Sequence, residues 1–272
     1  MADIPVVVLP DPEDESCLQA WADVTADRVP LTLLLDTGTP RSAVPHVGPF
    51  ATRPRLLTTG GRGVFGGPAE EEMLVEVCAL RTGDLVTAEL MVQLQPEGWR
   101  HPGLLGMDVL GSHRCDFHFD APRIGLDDEE QPAAAWYPLN GAPPSPPTVQ
   151  VHWEQTSLDA AWDTGAGVTL VDRSWADRHP DIVSVHRETG RGTDVTGTEA
   201  DHHWGALAPC RIGDLTFAEQ KCAVLDLSPL NATLAHPVQI VIGLPLIAQA
   251  SWYMDFPRRR WTVARPVISQ LP

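Results

Sequence analysis

The chain has 272 residues, of which 43% are hydrophobic and 20% charged, a composition typical of a soluble globular protein. Its net charge of −17 repels nucleic acid phosphates and anionic membrane surfaces, so we expect neither as a partner. No apolar run in the sequence approaches the roughly 18–20 residues that a membrane-spanning helix needs.

The N-terminal segment MADIPVVVLPDPEDESC has no basic region and only a short apolar run, so a secretory signal is not expected. The five cysteines form no CxxC pair, and the ten histidines form no HxxxH pair or His/Cys cluster. We therefore predict a cytoplasmic protein with reduced thiols, no metal and no cofactor.

The first half of the chain contains a series of features that indicate strands and turns. The apolar segment 31–45, LTLLLDTGTPRSAVP, predicts a strand that runs into a turn at Asp36-Thr37-Gly38. A glycine-rich hairpin follows at 61–68, then alternating strands at 73–94, and then the segment 103–126. Alternation of apolar and polar residues between Gly, Pro, Asp and Thr is typical of half-buried strands.

The same series recurs after a connector rich in proline and glycine. A second apolar strand ends in Asp163-Thr164-Gly165, and the two aspartates lie 163 − 36 = 127 residues apart. Each Asp-Thr-Gly (DTG) is followed by an apolar-apolar-Gly segment, Leu104-Leu105-Gly106 in the first half and Val241-Ile242-Gly243 in the second. One DTG alone is a weak signal, but two in matching contexts indicate a duplicated unit.

We therefore predict a mainly β fold with an N-terminal lobe at 1–137, a connector at 138–148 and a C-terminal lobe at 149–272. Only short helices are expected, and they are placed around 14–21, after Gly106, at 172–179 and after Gly243.

On its paired DTG loops and paired apolar-apolar-Gly segments, the chain resembles the pepsin/retropepsin superfamily of aspartic proteases. The resemblance covers the chain apart from the connector and an insertion-like stretch at roughly 11–28, and each half is similar to one retropepsin subunit. It implies a bilobal pepsin-like fold, with two β-barrel-like lobes about a pseudo-twofold axis and the DTG loops at the bottom of a cleft. It also implies a peptide or protein substrate. Because one chain contains both lobes, the resemblance further implies a monomer.

Asp36 and Asp163 are the predicted catalytic residues of an aspartic endopeptidase. Hydrolysis of a peptide bond needs one carboxylate to take a proton from water and one neutral acid to polarise the carbonyl. Two carboxyl groups about 3 Å apart cannot both ionise easily, so the pair holds one proton over a wide pH range. The two apparent pKa values therefore belong to the pair.

Six neighbouring residues are predicted to support this pair: Thr37, Gly38, Thr39, Thr164, Gly165 and Ala166. The glycines bring backbone N–H groups towards the carboxylates, and by the resemblance the DTG threonines cross-bond between the lobes. The residue after DTG is Thr39 in the first half and Ala166 in the second. A hydroxyl at this place can hydrogen-bond the carboxylate and lower its pKa, whereas the methyl group of Ala166 cannot. We therefore predict a pH optimum less acidic than that of a pepsin.

By the resemblance, a hairpin from each half forms a flap over the cleft. The candidate flap residues are Val64, Phe65, Gly66 and Gly67 in the first half, and Val195, Thr196 and Gly197 in the second. Glycines suit hinge motion and close approach to a substrate, and an ordinary hairpin turn is the alternative for each segment, more so for the second than for the first. Neither flap contains the tyrosine usual in pepsins, which favours the retropepsin side of the superfamily.

Two other functions remain open. The first is a catalytically weak peptide-binding or scaffold protein of the same fold, which the intact aspartates, threonines and glycines of both loops disfavour. The second is a glycosidase with two carboxylates, which explains none of the internal repeat.

Overall fold

The computed structural model describes residues 2–12, 14–59, 63–65, 71–99, 103–127, 135–141, 145–194 and 196–266. Of the predicted flap residues, Gly66, Gly67 and Val195 lie outside these ranges. Each helix in the described ranges falls short of the length and apolar character that crossing a membrane requires.

Strands dominate the described residues of the first half, which also include a 3₁₀ helix at Gly48–Thr52 and a short helix, α1, at Met107–Leu110. The strands are β1 Ala2–Pro10, β2 Leu18–Ala26, β3 Val29–Leu35, β4 Ala43–Val44, β5 Leu56–Thr59, β6 Glu71–Thr82, β7 Leu85–Leu94, β8 Leu104–Leu105, β9 Arg114–His118 and β10 Arg123–Leu126.

The second half is built in the same way. Its helices are α2 Arg173–Arg178, α3 Ser228–Asn231 and α4 Leu244–Ile247. Its strands are β11 Tyr137–Pro138, β12 Thr148–His152, β13 Ser157–Trp162, β14 Thr169–Asp172, β15 Val183–Thr193, β16 Glu199–Leu207, β17 Cys210–Ile212, β18 Leu215–Phe217, β19 Gln220–Leu225, β20 Ile240–Ile242, β21 Ala250–Asp255 and β22 Arg260–Pro266.

Three of the four predicted helices are present, as α1, α2 and α4. The helix predicted around 14–21 is wrong, because β2 begins at Leu18. Ala20, Ala22, Val24 and Ala26 are buried while their neighbours are more exposed, and this period of two belongs to a strand. The stretch 11–28 is therefore no insertion, since β2 pairs with both β1 and β3 inside the core sheet.

The strands form two sheets. The first has the order β11-β22-β21-β9-β10-β1-β2-β3-β8-β4-β7-β6-β5, with a further pairing of β2 and β6, and the second has the order β15-β16-β19-β14-β20-β13-β12-β17-β18. The last two strands of the chain, β21 and β22, join the first sheet, where Trp252 pairs with Phe117 of β9. This shared sheet ties the two halves together through buried aromatic side chains, among them Phe117, Trp252 and Trp261.

The internal repeat is visible in the strand pairing. In each half, the strand before DTG runs parallel to the apolar-apolar-Gly strand, with Leu34 opposite Leu104 in one half and Ala161 opposite Val241 in the other. The strand after DTG then pairs antiparallel to the same apolar strand, as β4 with β8 and β14 with β20. Each DTG loop thus lies at the end of a buried strand, held between two others.

Candidate active site

Asp36 and Asp163 are brought together where the ends of β3 and β13 meet. The N–H of Gly38 donates to Oδ1 of Asp36 at 2.9 Å and to Oδ1 of Asp163 at 3.1 Å, so one donor bridges the two carboxyl groups. The two carboxyl groups therefore lie side by side on one backbone N–H group. Two carboxyl groups this close favour a state in which one of them is protonated, because two negative charges would repel each other.

Further backbone N–H groups point at the pair. The N–H of Thr39 donates to Asp36 Oδ1 at 3.0 Å, and the N–H of Gly165 donates to Asp163 Oδ1 at 2.8 Å. A Cβ at Gly38 would lie 2.4 Å from Asp163 Oδ2, and one at Gly165 would lie 2.5 Å from Asp36 Cγ. Each glycine is therefore required because the carboxyl group of the opposite loop occupies the space of a side chain.

Burial raises the pKa of both carboxyl groups. The pKa of Asp36 lies well above its ordinary value because the group is buried and faces the charge of Asp163. Burial also raises the pKa of Asp163, and backbone hydrogen bonds, led by that from Gly165, offset part of the rise. As the pH rises, the last proton to leave the pair is therefore lost at a higher pH than the proton of an isolated aspartate.

Thr37 and Thr164 form a reciprocal crosslink between the two loops, and both are 0–1% exposed. The N–H of Thr37 donates to Thr164 Oγ1 at 3.1 Å, and the N–H of Thr164 donates to Thr37 Oγ1 at 3.0 Å. Each hydroxyl then donates to a carbonyl in the opposite half, at 3.1 Å to Trp162 and at 3.0 Å to Leu35. The crosslink holds the two aspartates in one relative position.

The apolar-apolar-Gly segments lie directly behind the loops. The N–H of Asp36 donates to the carbonyl of Leu105 at 3.0 Å, and the N–H of Asp163 donates to the carbonyl of Ile242 at 3.1 Å. Both carbonyls belong to buried residues. The backbone of each catalytic candidate is thus fixed from behind by the matching strand of its own half.

Two hydroxyl residues that support these segments escaped the sequence analysis. The N–H of Gly106 donates to Ser42 Oγ at 2.9 Å, and the N–H of Gly243 donates to Thr169 Oγ1 at 3.2 Å. Ser42 is held in turn by Asp108, whose Oδ1 accepts its hydroxyl at 2.6 Å. The available signal was spacing, since each hydroxyl follows its DTG aspartate by six residues (42 − 36 and 169 − 163).

The residues after the two DTG sequences contact the pair only through their backbone. The hydroxyl of Thr39 donates to the carbonyl of Arg41 at 3.2 Å and not to a carboxyl group of the pair. Ala166 has no hydroxyl, and its carbonyl accepts from the N–H of Leu244 at 2.8 Å. Neither side chain therefore supplies the hydrogen bond that would stabilise the ionised carboxylates.

Of the predicted flap residues that the structure describes, Val64 and Phe65 lie between the paired strands β5 and β6, and Thr196 and Gly197 lie between the paired strands β15 and β16. Val64 and Phe65 contact a buried cluster of the second half. We call this cluster the apolar wall, and its members are Ala161, Leu170, Ala223, Leu225, Leu227, Val238 and Val241. Ala161 of the wall lies on β13, which ends at Trp162 immediately before Asp163.

Within the described residues, the cysteine thiols and the side chains that could bind a metal are less suited to catalysis than the carboxyl pair is. Burial raises the pKa of Cys17 to about 11 and those of Cys210 and Cys222 to about 12, so all three stay protonated near neutral pH. Within the described ranges, no group of three or more His, Cys, Asp or Glu side chains is arranged to hold a metal ion.

Comparison with known proteins agrees with this geometry. Residues 149–246 match the family model described as aspartyl protease. The crystal structure of an aspartic proteinase from Irpex lacteus is similar over 98% of this chain and 98% of that chain, with a TM-score of 0.61 and 13% sequence identity. A sequence search of curated proteins found no match. The predicted mainly β, bilobal fold is confirmed, and the two findings support the superfamily that the sequence resembles.

Proposed function

We propose that this chain, which has the fold of the pepsin-like aspartic proteases, is an aspartic endopeptidase with Asp36 and Asp163 as its catalytic pair. The observation that carries the proposal is the N–H of Gly38, which donates to an oxygen of each carboxyl group within 3.1 Å. Two acids this close to each other, which share one N–H donor, suit a site that holds a single proton.

In the proposed reaction, a water molecule lies between the two carboxyl groups. The ionised carboxylate takes a proton from the water, whose oxygen attacks the carbonyl carbon of the peptide bond. The protonated carboxyl group gives its proton to the carbonyl oxygen, and a tetrahedral diol forms. The carboxyl group that took the proton from water then gives it to the amide nitrogen, and the other carboxylate takes a proton from a diol hydroxyl. The C–N bond breaks, an acid and an amine are released, and one proton remains on the pair.

The apolar wall supports an extended peptide with an apolar side chain next to the scissile bond. Burying such a side chain against Leu170, Leu225 and Val241 would stabilise the complex by about 1.5–3 kcal/mol. Phe65 covers this wall from the opposite half, so it would limit the size of the side chain accepted there. Both DTG loops belong to one chain, which supports a monomer as the active species. The cytoplasmic location stays a prediction from the sequence.

The proposal is tested by digesting a peptide library derived from a proteome over pH 3–8, with and without pepstatin. We expect cleavage that pepstatin blocks, with apolar residues enriched beside the cleaved bond. Peptide binding without cleavage at any pH would favour the weakly catalytic binding protein instead.

The pH dependence follows from the raised pKa values. The active pair carries one proton, and it loses this proton only above the raised pKa, so the basic limb of the profile lies at higher pH than isolated aspartates would give. With no hydroxyl on Ala166 and none directed at the pair from Thr39, we expect kcat/KM to peak above about pH 4. A profile that peaks near pH 2 would contradict this expectation.

A further inference from the structure

A cavity of about 110 Å³ lies against the first DTG loop. Its lining comes from the loop residues Thr37–Pro40, from helix α1 with the Gly111 that follows it, from the connector, and from the turn between β21 and β22. All of these lining residues lie in the described ranges. Gly38 belongs both to this lining and to the catalytic site, since its N–H bonds to Asp36 and Asp163. Gly38 is therefore a common boundary of the cavity and the carboxyl pair.

The interior of the cavity is apolar. Met107 of α1, Leu139 of the connector and Phe256 of the turn line it, and each is at most 8% exposed. Pro40 and Arg259 are the exposed members of the lining, so they mark its opening. A dry cavity of about 150 Å³ accommodates benzene, so this one has room for an apolar group of about three or four carbon atoms.

Three consecutive arginines lie at this turn, and two of them are paired with an acid. Asp255 Oδ2 accepts from Arg258 at 3.4 Å and from Arg260 at 3.0 Å. Arg259 instead donates to the carbonyl of Gly141, another residue of the lining, at 3.4 Å. With the residues that the structure describes, Arg259 forms no ion pair. A guanidinium has five N–H donors, so the bond to Gly141 leaves others for an anion at the opening.

A carboxylate suits this combination of charge and apolar surface better than a phosphate. The guanidinium presents parallel N–H groups that match the two oxygens of a carboxylate. A phosphate group carries about 1.5–2 negative charges, whereas the described lining contains one cationic side chain and the net charge of −17 opposes further negative charge. The apolar interior in turn favours a carboxylate that is attached to a short apolar group.

We propose that this cavity binds a carboxylate carried on a short apolar chain, with the guanidinium of Arg259 as its partner. Two sources supply this chemistry. One is a glutamate or aspartate side chain of the peptide substrate, because a peptide bound at the carboxyl pair lies next to Gly38. The other is a free small carboxylate. The first source rests on the proposed function and makes Arg259 a specificity-determining residue, whereas binding of a free carboxylate does not depend on activity.

The first experiment tests the cavity without any reaction. Butyrate, which carries its carboxylate on three apolar carbons, is titrated into the substrate-free protein, and the backbone amide shifts of Gly38, Gly111 and Gly141 are followed by NMR. We expect saturable shifts at these three residues, with an affinity at least about tenfold lower in Arg259→Gln and largely kept in Arg259→Lys. Butyramide, which has the same shape but no charge, should bind at least about tenfold more weakly than butyrate.

Arg258→Gln is the matched control, because it removes the same charge one residue away, where Asp255 holds the side chain. Its affinity for butyrate should stay within about twofold of the wild-type value, since salt screens an exposed charge that does not touch the ligand. An equal loss in Arg258→Gln and Arg259→Gln would overturn the proposal, because butyrate would then respond only to the overall charge.

The second experiment identifies the source of the carboxylate. In the peptide-library digest, a substrate carboxylate appears as enrichment of glutamate or aspartate at one fixed distance from the cleaved bond. For a cleaved peptide with glutamate there, we expect kcat/KM at least about tenfold above that of the same peptide with glutamine. This preference should vanish in Arg259→Gln and persist in Arg259→Lys and Arg258→Gln.

The two experiments together decide the matter. An acidic preference that depends on Arg259 supports the proposal with a substrate side chain as the source, and butyrate binding without such a preference supports it with a free carboxylate. Absence of both overturns it. Butyrate binding in a protein that cleaves no peptide supports the cavity and counts only against the proposed function.

Discussion

Asp36→Asn should lower kcat for peptide cleavage by about 10³–10⁴-fold. The asparagine fits the same space and still accepts the N–H bonds of Gly38 and Thr39, but it neither takes a proton from water nor donates one reversibly. KM should change little, because the peptide-binding surface is retained. The measurement is steady-state hydrolysis of a peptide selected from the library, at the pH optimum.

Two further variants show whether this loss belongs to the pair. Asp163→Asn should cost as much as Asp36→Asn, and the double variant little more, because the two residues act as a unit. Asp23→Asn makes the same chemical change at an exposed site, where the carboxylate accepts from Thr32 Oγ1 at 2.8 Å, and should alter kcat by less than about twofold. An Asp36→Asn enzyme that kept a tenth of the activity would rule out the proposed mechanism.

Thr164→Val should reduce the free energy of unfolding by about 2–4 kcal/mol. Valine has nearly the same shape, but its methyl group leaves the buried N–H of Thr37 and the carbonyl of Leu35 without the hydroxyl that serves both. The loss is measured as a shift of the denaturant midpoint at constant slope. Activity should fall as well, since the crosslink holds the carboxyl pair in register.

Thr32→Val is the control for this substitution. It removes an exposed hydroxyl that bonds Asp23, so its effect on unfolding should stay within about 0.5 kcal/mol. A Thr164→Val protein as stable as this control would mean that the crosslink contributes nothing to the union of the halves.

The two DTG loops and the strands behind them could be predicted because the sequence contains the same pattern twice. Two strand-end DTG sequences in matching contexts are a local pattern, and in the structure both aspartates accept from the N–H of Gly38 although 127 residues separate them. The supporting strands could also be predicted from the sequence, since Leu105 and Ile242 belong to the same repeat. Duplication therefore turned a weak motif into an informative one.

Contacts that have no counterpart in the internal repeat could not be predicted from the sequence. The bond between Phe65 and Asp194 joins segments 129 residues apart and has no counterpart in the other half's sequence. A hydroxyl after DTG can bond the carboxylate, and only the fold shows that the hydroxyl of Thr39 donates to the carbonyl of Arg41 instead. The stretch 14–21 was wrongly predicted as a helix because Leu18, Gln19 and Ala20 suit a helix by propensity. The pairing of β2 with a strand on each side decides for a strand.

The most direct test of a shared proton is a pH titration of the carboxyl carbons of Asp36 and Asp163 by ¹³C NMR, in the substrate-free protein. We expect two well-separated transitions that both carbons report, the upper one well above the ordinary aspartate value of about 4, and a single transition at Asp163 once Asp36 is replaced by asparagine. If instead both carboxyl groups ionised together near pH 4, as independent acids do, no proton would be held between them and the proposed mechanism would fail.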